Sequence, residues 1–208
     1  MTTNFSGYVL AGGKSSRMKT DKAFLKLRGE TFLERAVRAL SRACGERVKI
    51  VINENQKAKF AKSFPSFDFV FDVFSERGAL GGIQAALKNC ETEYAIILAC
   101  DLPFVTKDVI ETLSGIALNS PENIAAVVPK QFDGGIQPLC AVYKIKFCLP
   151  KIEELLEKEI SVSMREFLRH LTVCFVETNE LSTDKTAELF FNINQPSDFQ
   201  KLKSKADS

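Results

Sequence analysis

Apolar residues recur along this chain in two alternating rhythms. Short continuous or β-branched runs at Phe5–Leu10, Val48–Ile52, Phe67–Phe71, Tyr94–Ala99 and Ala125–Val128 predict strands. Between them the apolar positions fall at helical spacing. Phe32, Leu33, Ala36, Val37 and Leu40 form one face with Glu34, Arg35, Arg38 and Arg42 opposite, and Leu80, Ile83, Ala86 and Leu87 form another. Val109, Ile110 and Leu113 make a third face, and Ile152, Leu155 and Leu156 a fourth with solvated Lys and Glu around it. Thr31 and Glu34 have capping-box spacing, which fixes where the first helix begins, and Thr106 is placed to cap the third. Tyr94–Ala99 is apolar at every position, as a parallel strand covered on both faces should be. Asp133-Gly134-Gly135 is a turn leading into Leu139–Tyr143, which predicts a hairpin. Val173–Val176 reads as a late strand and Pro196–Leu202 as a terminal helix.

Repeated β-α alternation specifies an α/β fold, a three-layer, Rossmann-like arrangement with a mostly parallel central sheet. The hairpin and the irregular stretch from Ser182 to Asn194 predict an added, less regular layer in the second half. No repeat, low-complexity tract or linker interrupts the pattern, so residues 1–208 read as one domain. Its part up to about residue 126 would bind a nucleotide and 127–208 an acceptor. A net charge of +2 is nearly balanced and gives no argument for a long nucleic-acid footprint, which needs a concentrated basic face, so no nucleic-acid partner is expected. The six cysteines are scattered without a Cys-x-x-Cys pair, so buried free thiols in a reducing compartment are expected rather than disulfides or zinc. No stretch approaches a membrane span of about 20 residues, and no targeting segment is evident, which makes a cytoplasmic protein without membrane contact the expectation.

The chemistry begins where the first strand opens into Leu10-Ala11-Gly12-Gly13-Lys14-Ser15-Ser16-Arg17-Met18-Lys19-Thr20-Asp21-Lys22. Gly12 and Gly13 let backbone N–H groups approach phosphate oxygens without a Cβ in the way. Arg17 and Lys22 add cations for a triphosphate. Two common phosphate loops are excluded: Arg17 stands where a P-loop needs its second glycine, and Lys14 fills the second glycine position of the dinucleotide fingerprint. Ligands of open α/β sheets lie beyond the carboxyl ends of the strands. That rule gathers the Gly12–Lys22 loop, Asn53, Asp72 and Asp101 at one rim. Asp101 ends an apolar strand before a proline, a place for a Mg2+ ligand beside substrate phosphates or for a cap on the next segment. Asp72 could receive guanine N–H groups, touch a ribose or cap the turn at Phe74–Gly78. Asn53 could read a base edge or serve as an ordinary turn residue. Gly81-Gly82 allow close approach of a base or ribose, or tight helix–strand packing. The single histidine, His170, reads as structural, and no covalent nucleophile is arranged.

Leu10-Ala11-Gly12-Gly13, Arg17-Met18 and Asp21-Lys22 resemble the signature of the molybdenum cofactor guanylyltransferases, the MobA family of nucleotidyltransferases. Leu80-Gly81-Gly82-Ile83 is similar to the family's Gly-Pro-Leu-Ala-Gly-Ile segment, and Cys100-Asp101-Leu102-Pro103 to its Cys-Asp-x-Pro. Gln137-Pro138-Leu139 and Asn192-Ile193-Asn194-Gln195-Pro196-Ser197-Asp198 resemble two later motifs, so the likeness spans nearly the whole chain. The resemblance implies a nucleotidyltransferase fold and GMP transfer from GTP to the terminal phosphate of molybdopterin, with Mg2+ required and pyrophosphate released. By position, it implies that Leu10, Ala11, Gly12, Lys22, Asn53, Asp72 and Asp101 contact GTP, that Asp101 also binds Mg2+, and that Asn192 and Asn194 lie on the molybdopterin side. Related cytidylyltransferases have Leu-Ala-Ala-Gly at the loop, so Gly12 points to guanine. It also implies transient contact with enzymes that deliver or receive the cofactor. The chain departs from the pattern at Lys19, where the family has glycine, at Ala79 in place of proline, and at Phe74-Ser75-Glu76-Arg77-Gly78, which replaces an acidic, glycine-containing stretch.

Overall fold

The computed structural model describes residues 4–12, 21–158, 162–181, 189–191, 193 and 197–200. Strand β1 (Phe5–Leu10) leads into a 3-10 turn at Lys22–Phe24 and a two-strand ribbon, β2 (Lys26–Leu27) and β3 (Glu30–Thr31). Helix α1 (Phe32–Cys44) starts where the capping box places it. Thr31 Oγ1 accepts the Glu34 N–H at 3.2 Å while Glu34 Oε2 accepts the Thr31 N–H at 2.8 Å. Then come β4 (Val48–Ile52), α2 (Lys57–Ser63), β5 (Asp68–Phe71), α3 (Ala79–Lys88), β6 (Tyr94–Ala99) and α4 (Lys107–Asn119). The second half contributes β7 (Ala126–Lys130), β8 (Cys140–Lys144), α5 (Ile145–Glu157), α6 (Met164–Arg169), β9 (Val173–Glu177) and α7 (Thr178–Leu181). Residues 197–200 are helical, within the terminal helix expected from the sequence.

One seven-stranded sheet runs in the order β5-β4-β1-β6-β8-β7-β9. β1 pairs parallel with β4 and β6, β4 with β5, and β7 with β9, while β8 runs antiparallel to both of its neighbours. The hairpin expected in the second half therefore joins the central sheet: β8 inserts between β6 and β7. Because β8 alone is reversed, the carboxyl ends of the other strands and the start of β8 share one edge.

Alternation along the strands divides the core between the two faces. Val9, Ile50, Ile52, Ile96 and Leu98 pack with Leu33, Leu40, Ile110 and Leu113 of α1 and α4. Tyr8, Leu10, Val51, Ala95 and Ile97 pack with Ile83, Leu87, Ile152 and Phe167 of α3, α5 and α6. Every residue of β6 is buried, as its unbroken apolar run requires. The six cysteines are free. No helix among the described residues is long and apolar enough to cross a membrane.

Several of the phenylalanines fix the functional edge. Phe24, in the turn that carries Lys22, lies 5.1 Å between ring centroids from both Phe60 of α2 and Phe64 just beyond it. Lys59 Nζ stands 4.1 Å from the centre of the Phe24 ring. Such aromatic contacts hold a short turn that two backbone hydrogen bonds alone would leave poorly fixed.

Candidate functional site

A cavity of about 400 Å³ opens across the carboxyl ends of β5, β4, β1 and β6. Of the residues expected at the site, Leu10, Ala11, Gly12, Lys22, Asn53, Asp72 and Asp101 line it together. Gly13, Arg17, Asn192 and Asn194 lie outside the described residues.

At the β6 end, Lys22 Nζ donates to Asp101 Oδ2 at 2.7 Å, with the two side chains 18% and 21% exposed. Strand pairing delivers Asp101: Leu10 pairs with Ala99, and the Cys100 N–H donates to the Leu10 carbonyl at 3.1 Å. Asp21, also in the lining, has no role that the sequence alone assigns. Its Oδ2 accepts from Gln56 Nε2 and from Lys59 Nζ, each at 3.2 Å, which ties the Lys22 turn to the α2 side. Its adjacency to Lys22 was the available signal.

At β1 the structure revises one detail. The Gly12 N–H, expected to face a phosphate, is donated to the Val51 carbonyl at 3.0 Å, as is the Ala11 N–H. Gly12 serves by the space it leaves instead. A Cβ there would stand 3.1 Å from Asn53 Oδ1 and 3.4 Å from Asn53 N, crowding the residue beside it. Asn53 in turn donates its N–H to Gln56 Oε1 at 3.0 Å, opening the 3-10 turn Glu54–Gln56.

At the β5 end, Asp72 realises the turn-capping option left open above: its Oδ1 accepts the Phe74 N–H at 2.8 Å. Burial raises the Asp72 pKa, and that hydrogen bond partly opposes the shift. The following segment supplies a wall that the strand-end rule did not identify, formed by Ser75, Glu76, Gly78 and Ala79. Leu10, Val51, Gly82, Ala99, Cys100 and Leu139 make the apolar part of the lining. Leu139 arrives there because its carbonyl accepts the Ala99 N–H at 2.7 Å. His170 is a half-exposed surface residue whose Nε2 is 3.5 Å from Glu166, outside this cavity.

Gly81 explains how the wall is seated. A Cβ at this position would stand 2.4 Å from the Phe74 carbonyl oxygen and 2.6 Å from Asp72 Oδ1. An alanine in mid-helix ordinarily gains about 1 kcal/mol over glycine. Overpacking against a backbone that cannot swing aside costs about 1–3 kcal/mol. The clash should win: Gly81→Ala is expected to lower the thermal midpoint by several degrees, at about 2–4 °C for each kcal/mol in a chain of this size. An unchanged or raised midpoint in a thermal melt would show that the wall yields freely.

Among the described residues lining the cavity, Lys22 is the sole cation, paired with Asp101, and Asp21, Asp72 and Glu76 are the other acidic residues of the lining. A polyphosphate entering such a cavity needs added positive charge, and hard carboxylate oxygens suit Mg2+. No group of three or more His, Cys, Asp or Glu able to hold a metal occurs among the described residues. Mg2+ commonly uses one or two carboxylates and takes further oxygens from substrate phosphates, so this donor set fits that ion.

A cavity at the carboxyl edge of a mostly parallel sheet, lined by apolar side chains and by a lysine–aspartate pair, defines a nucleotide-binding α/β protein. Residues 7–174 match the family described as the MobA-like NTP transferase domain, and the chain belongs to that family. A probable molybdenum cofactor guanylyltransferase from Clostridium perfringens is 32% identical over 212 residues, covering 97% of this chain and 98% of the relative. The crystal structure of molybdopterin-guanine dinucleotide biosynthesis protein A from Archaeoglobus fulgidus superposes with a TM-score of 0.79 at 25% identity, covering 97% of this chain and 98% of that one. A 2-C-methyl-D-erythritol 4-phosphate cytidylyltransferase from Thermus thermophilus shares the fold, with a TM-score of 0.68 at 17% identity over 98% of both chains.

Proposed function

We propose that the protein transfers GMP from GTP to the terminal phosphate of molybdopterin, forming the guanine dinucleotide cofactor and releasing pyrophosphate. The observation that carries this reading is the Lys22–Asp101 pair, set in the strand-end cavity of a chain nearly a third identical to a guanylyltransferase along almost its whole length.

An acceptor phosphate oxygen attacks the α-phosphorus of GTP, a phosphoanhydride bond forms, and the bond to the β-phosphate oxygen breaks. The acceptor phosphate is already ionised at neutral pH, so the reaction requires no general base. The chain's part is to align the two phosphates and offset their charge. Lys22 and Arg17 supply cations. Asp101 would hold Mg2+ together with phosphate oxygens, and bound Mg2+ supplies charge neutralisation of the triphosphate. Leu10, Ala11 and Gly12 form the floor, Gly13 brings a backbone N–H, and Asn53 and Asp72 border the nucleoside. Asn192 and Asn194 belong to the acceptor side, in the half from residue 127 onward. We propose a cytoplasmic reaction, with transient contacts to enzymes that deliver or receive the cofactor.

Pyrophosphate release with molybdopterin and Mg2+ tests the proposal, run in parallel with GTP, CTP, ATP and UTP. Release with GTP alone is expected. Preference for CTP would move the chain to a sister transferase, and release with none, while GTP still binds, would leave a nucleotide-binding protein.

A further inference from the structure

The nucleotide cavity depends on one distance between two remote pieces of chain. Lys22 Nζ and Asp101 Oδ2 stand 2.7 Å apart, although their residues are 79 positions apart in sequence. Lys22 belongs to a piece that runs directly into α1. The Leu25 N–H donates to the Lys22 carbonyl at 3.0 Å, and the Leu25 carbonyl accepts the Phe32 N–H at 2.9 Å. Leu27 then pairs with Glu30 across the ribbon. Asp101 opens the segment 101–106 that leads to α4. Within it the Leu102 N–H donates to the Ala99 carbonyl at 3.3 Å and the Val105 N–H to the Leu102 carbonyl at 3.2 Å. These bonds are local: they shape the segment without tying it to the Lys22 piece.

Arg35 makes that tie. It stands on the polar side of α1 in the sequence pattern, yet its side chain is only 22% exposed. Its Nε donates to the carbonyl of Pro103, two residues beyond Asp101, at 3.2 Å, and its Nη1 donates to Glu30 Oε2 at 3.3 Å. Arg38 also holds Glu30, through Nε to Oε1 at 2.8 Å and Nη2 to Oε2 at 2.9 Å. A planar guanidinium with donors in fixed directions can join two acceptors at a set separation, which a single ammonium does poorly. Arg35 is not part of the nucleotide cavity's lining; with Pro103 it lines a separate cavity of about 540 Å³. Its influence on the site therefore passes through the backbone of 101–103.

Resting on the guanylyltransferase reading, we infer that Arg35 is a positioning residue. It fixes the Asp101 segment against the Lys22 piece and so sets where the Asp101 carboxylate meets the substrate phosphates. Misplacing a reacting group by about 1 Å can cost about a hundredfold in rate. Lys22 and the cavity floor stay in place without Arg35, so GTP binding survives its loss while turnover falls. Helix α1 supplies its own control. Arg42, about two turns further along, pairs instead with Glu111 inside α4, beyond the segment.

The test compares wild-type protein with Arg35→Gln, Arg35→Lys and Arg42→Gln. Pyrophosphate release with GTP, Mg2+ and molybdopterin gives kcat and KM, and amide hydrogen exchange of the nucleotide-free protein gives the protection of residues 100–105. Arg35→Gln should lower kcat about ten- to a hundredfold with KM for GTP little changed, and should speed exchange across 100–105. Arg35→Lys keeps a donor for one of the two acceptors and should recover part of both effects. Arg42→Gln should leave kcat and that exchange near wild type. Unchanged kcat or unchanged exchange in Arg35→Gln would overturn the assignment, as would an equal loss in Arg42→Gln. If Arg35→Gln does not fold, wild-type kcat and exchange in Arg35→Lys overturn it, and intermediate values support it. Failure of the underlying reading is seen separately, as wild-type protein that releases no pyrophosphate from GTP, and the exchange comparison then still decides whether Arg35 holds the segment.

Discussion

Asp101→Ala is expected to reduce kcat roughly a thousandfold or more while leaving a folded protein, because it removes the carboxylate placed to hold Mg2+ against the substrate phosphates. The geometry separates the two effects. Asp101 lies at the cavity rim, where its Oδ2 accepts from Lys22 Nζ at 2.7 Å. Both partners keep about a fifth of their surface exposed, so Lys22 regains water when the aspartate is lost. Stability should fall by about 1 kcal/mol or less, within a few degrees of the wild-type midpoint. Asp101→Asn keeps the shape and loses the charge, so it should be nearly as inactive as the alanine variant. Near-normal kcat for either variant at saturating Mg2+ would remove Asp101 from the site.

Lys22→Ala should raise the KM for GTP about ten- to a hundredfold, the loss of one charge-assisted bond worth about 1.5–3 kcal/mol. Lys22 also offsets Asp101 when no nucleotide is bound, so its removal leaves carboxylates unopposed in the described lining and repels the triphosphate. Lys22→Arg restores charge without the compact ammonium and should recover only part of the loss. Because the two residues share one contact, the Lys22→Ala/Asp101→Ala double variant should be less impaired than the product of the single effects. Steady-state kinetics on the four proteins decides it. Strict multiplicativity, or an unchanged KM in Lys22→Ala, would mean that Lys22 is not a phosphate ligand.

Much of the architecture is legible because its determinants are local. The apolar run Tyr94–Ala99 matches the buried strand to the residue, and the Thr31–Glu34 box marks the start of its helix. Long-range pairing is less legible. A hairpin could be read from Asp133-Gly134-Gly135, but its reversed strand reaches β6 through contacts such as Ala99 with Leu139, 40 positions apart by subtraction, and no local pattern encodes them. The short helices at Lys57–Ser63, Met164–Arg169 and Thr178–Leu181 are not legible in the sequence, since pieces of that length carry little periodicity and depend on tertiary packing.

The strand-end rule gathers a large part of the cavity lining because parallel topology, not side-chain identity, decides which residues share an edge. It does not find the Ser75–Ala79 wall, which lies beyond a strand end and is placed by Asp72 and Gly81. Nor does it reveal that the Gly12 N–H is taken by Val51, because the acceptor is a backbone carbonyl on another strand. Glu76 was visible in the sequence only as part of a segment that departs from the family pattern.

The buried sulfurs carry a consequence for handling and survival of the molecule. Burial pushes the thiols of Cys44, Cys140 and Cys148 up to about 12 and raises Cys100 as well, with Cys100 lying directly beside Asp101. At neutral pH a thiol of that acidity is ionised only to about one part in 100,000, and oxidants and alkylating agents react with the thiolate. The cysteine in the wall of the nucleotide cavity is thereby chemically quiet, and its neighbour can carry charge through a reaction cycle without a reactive sulfur forming at its side.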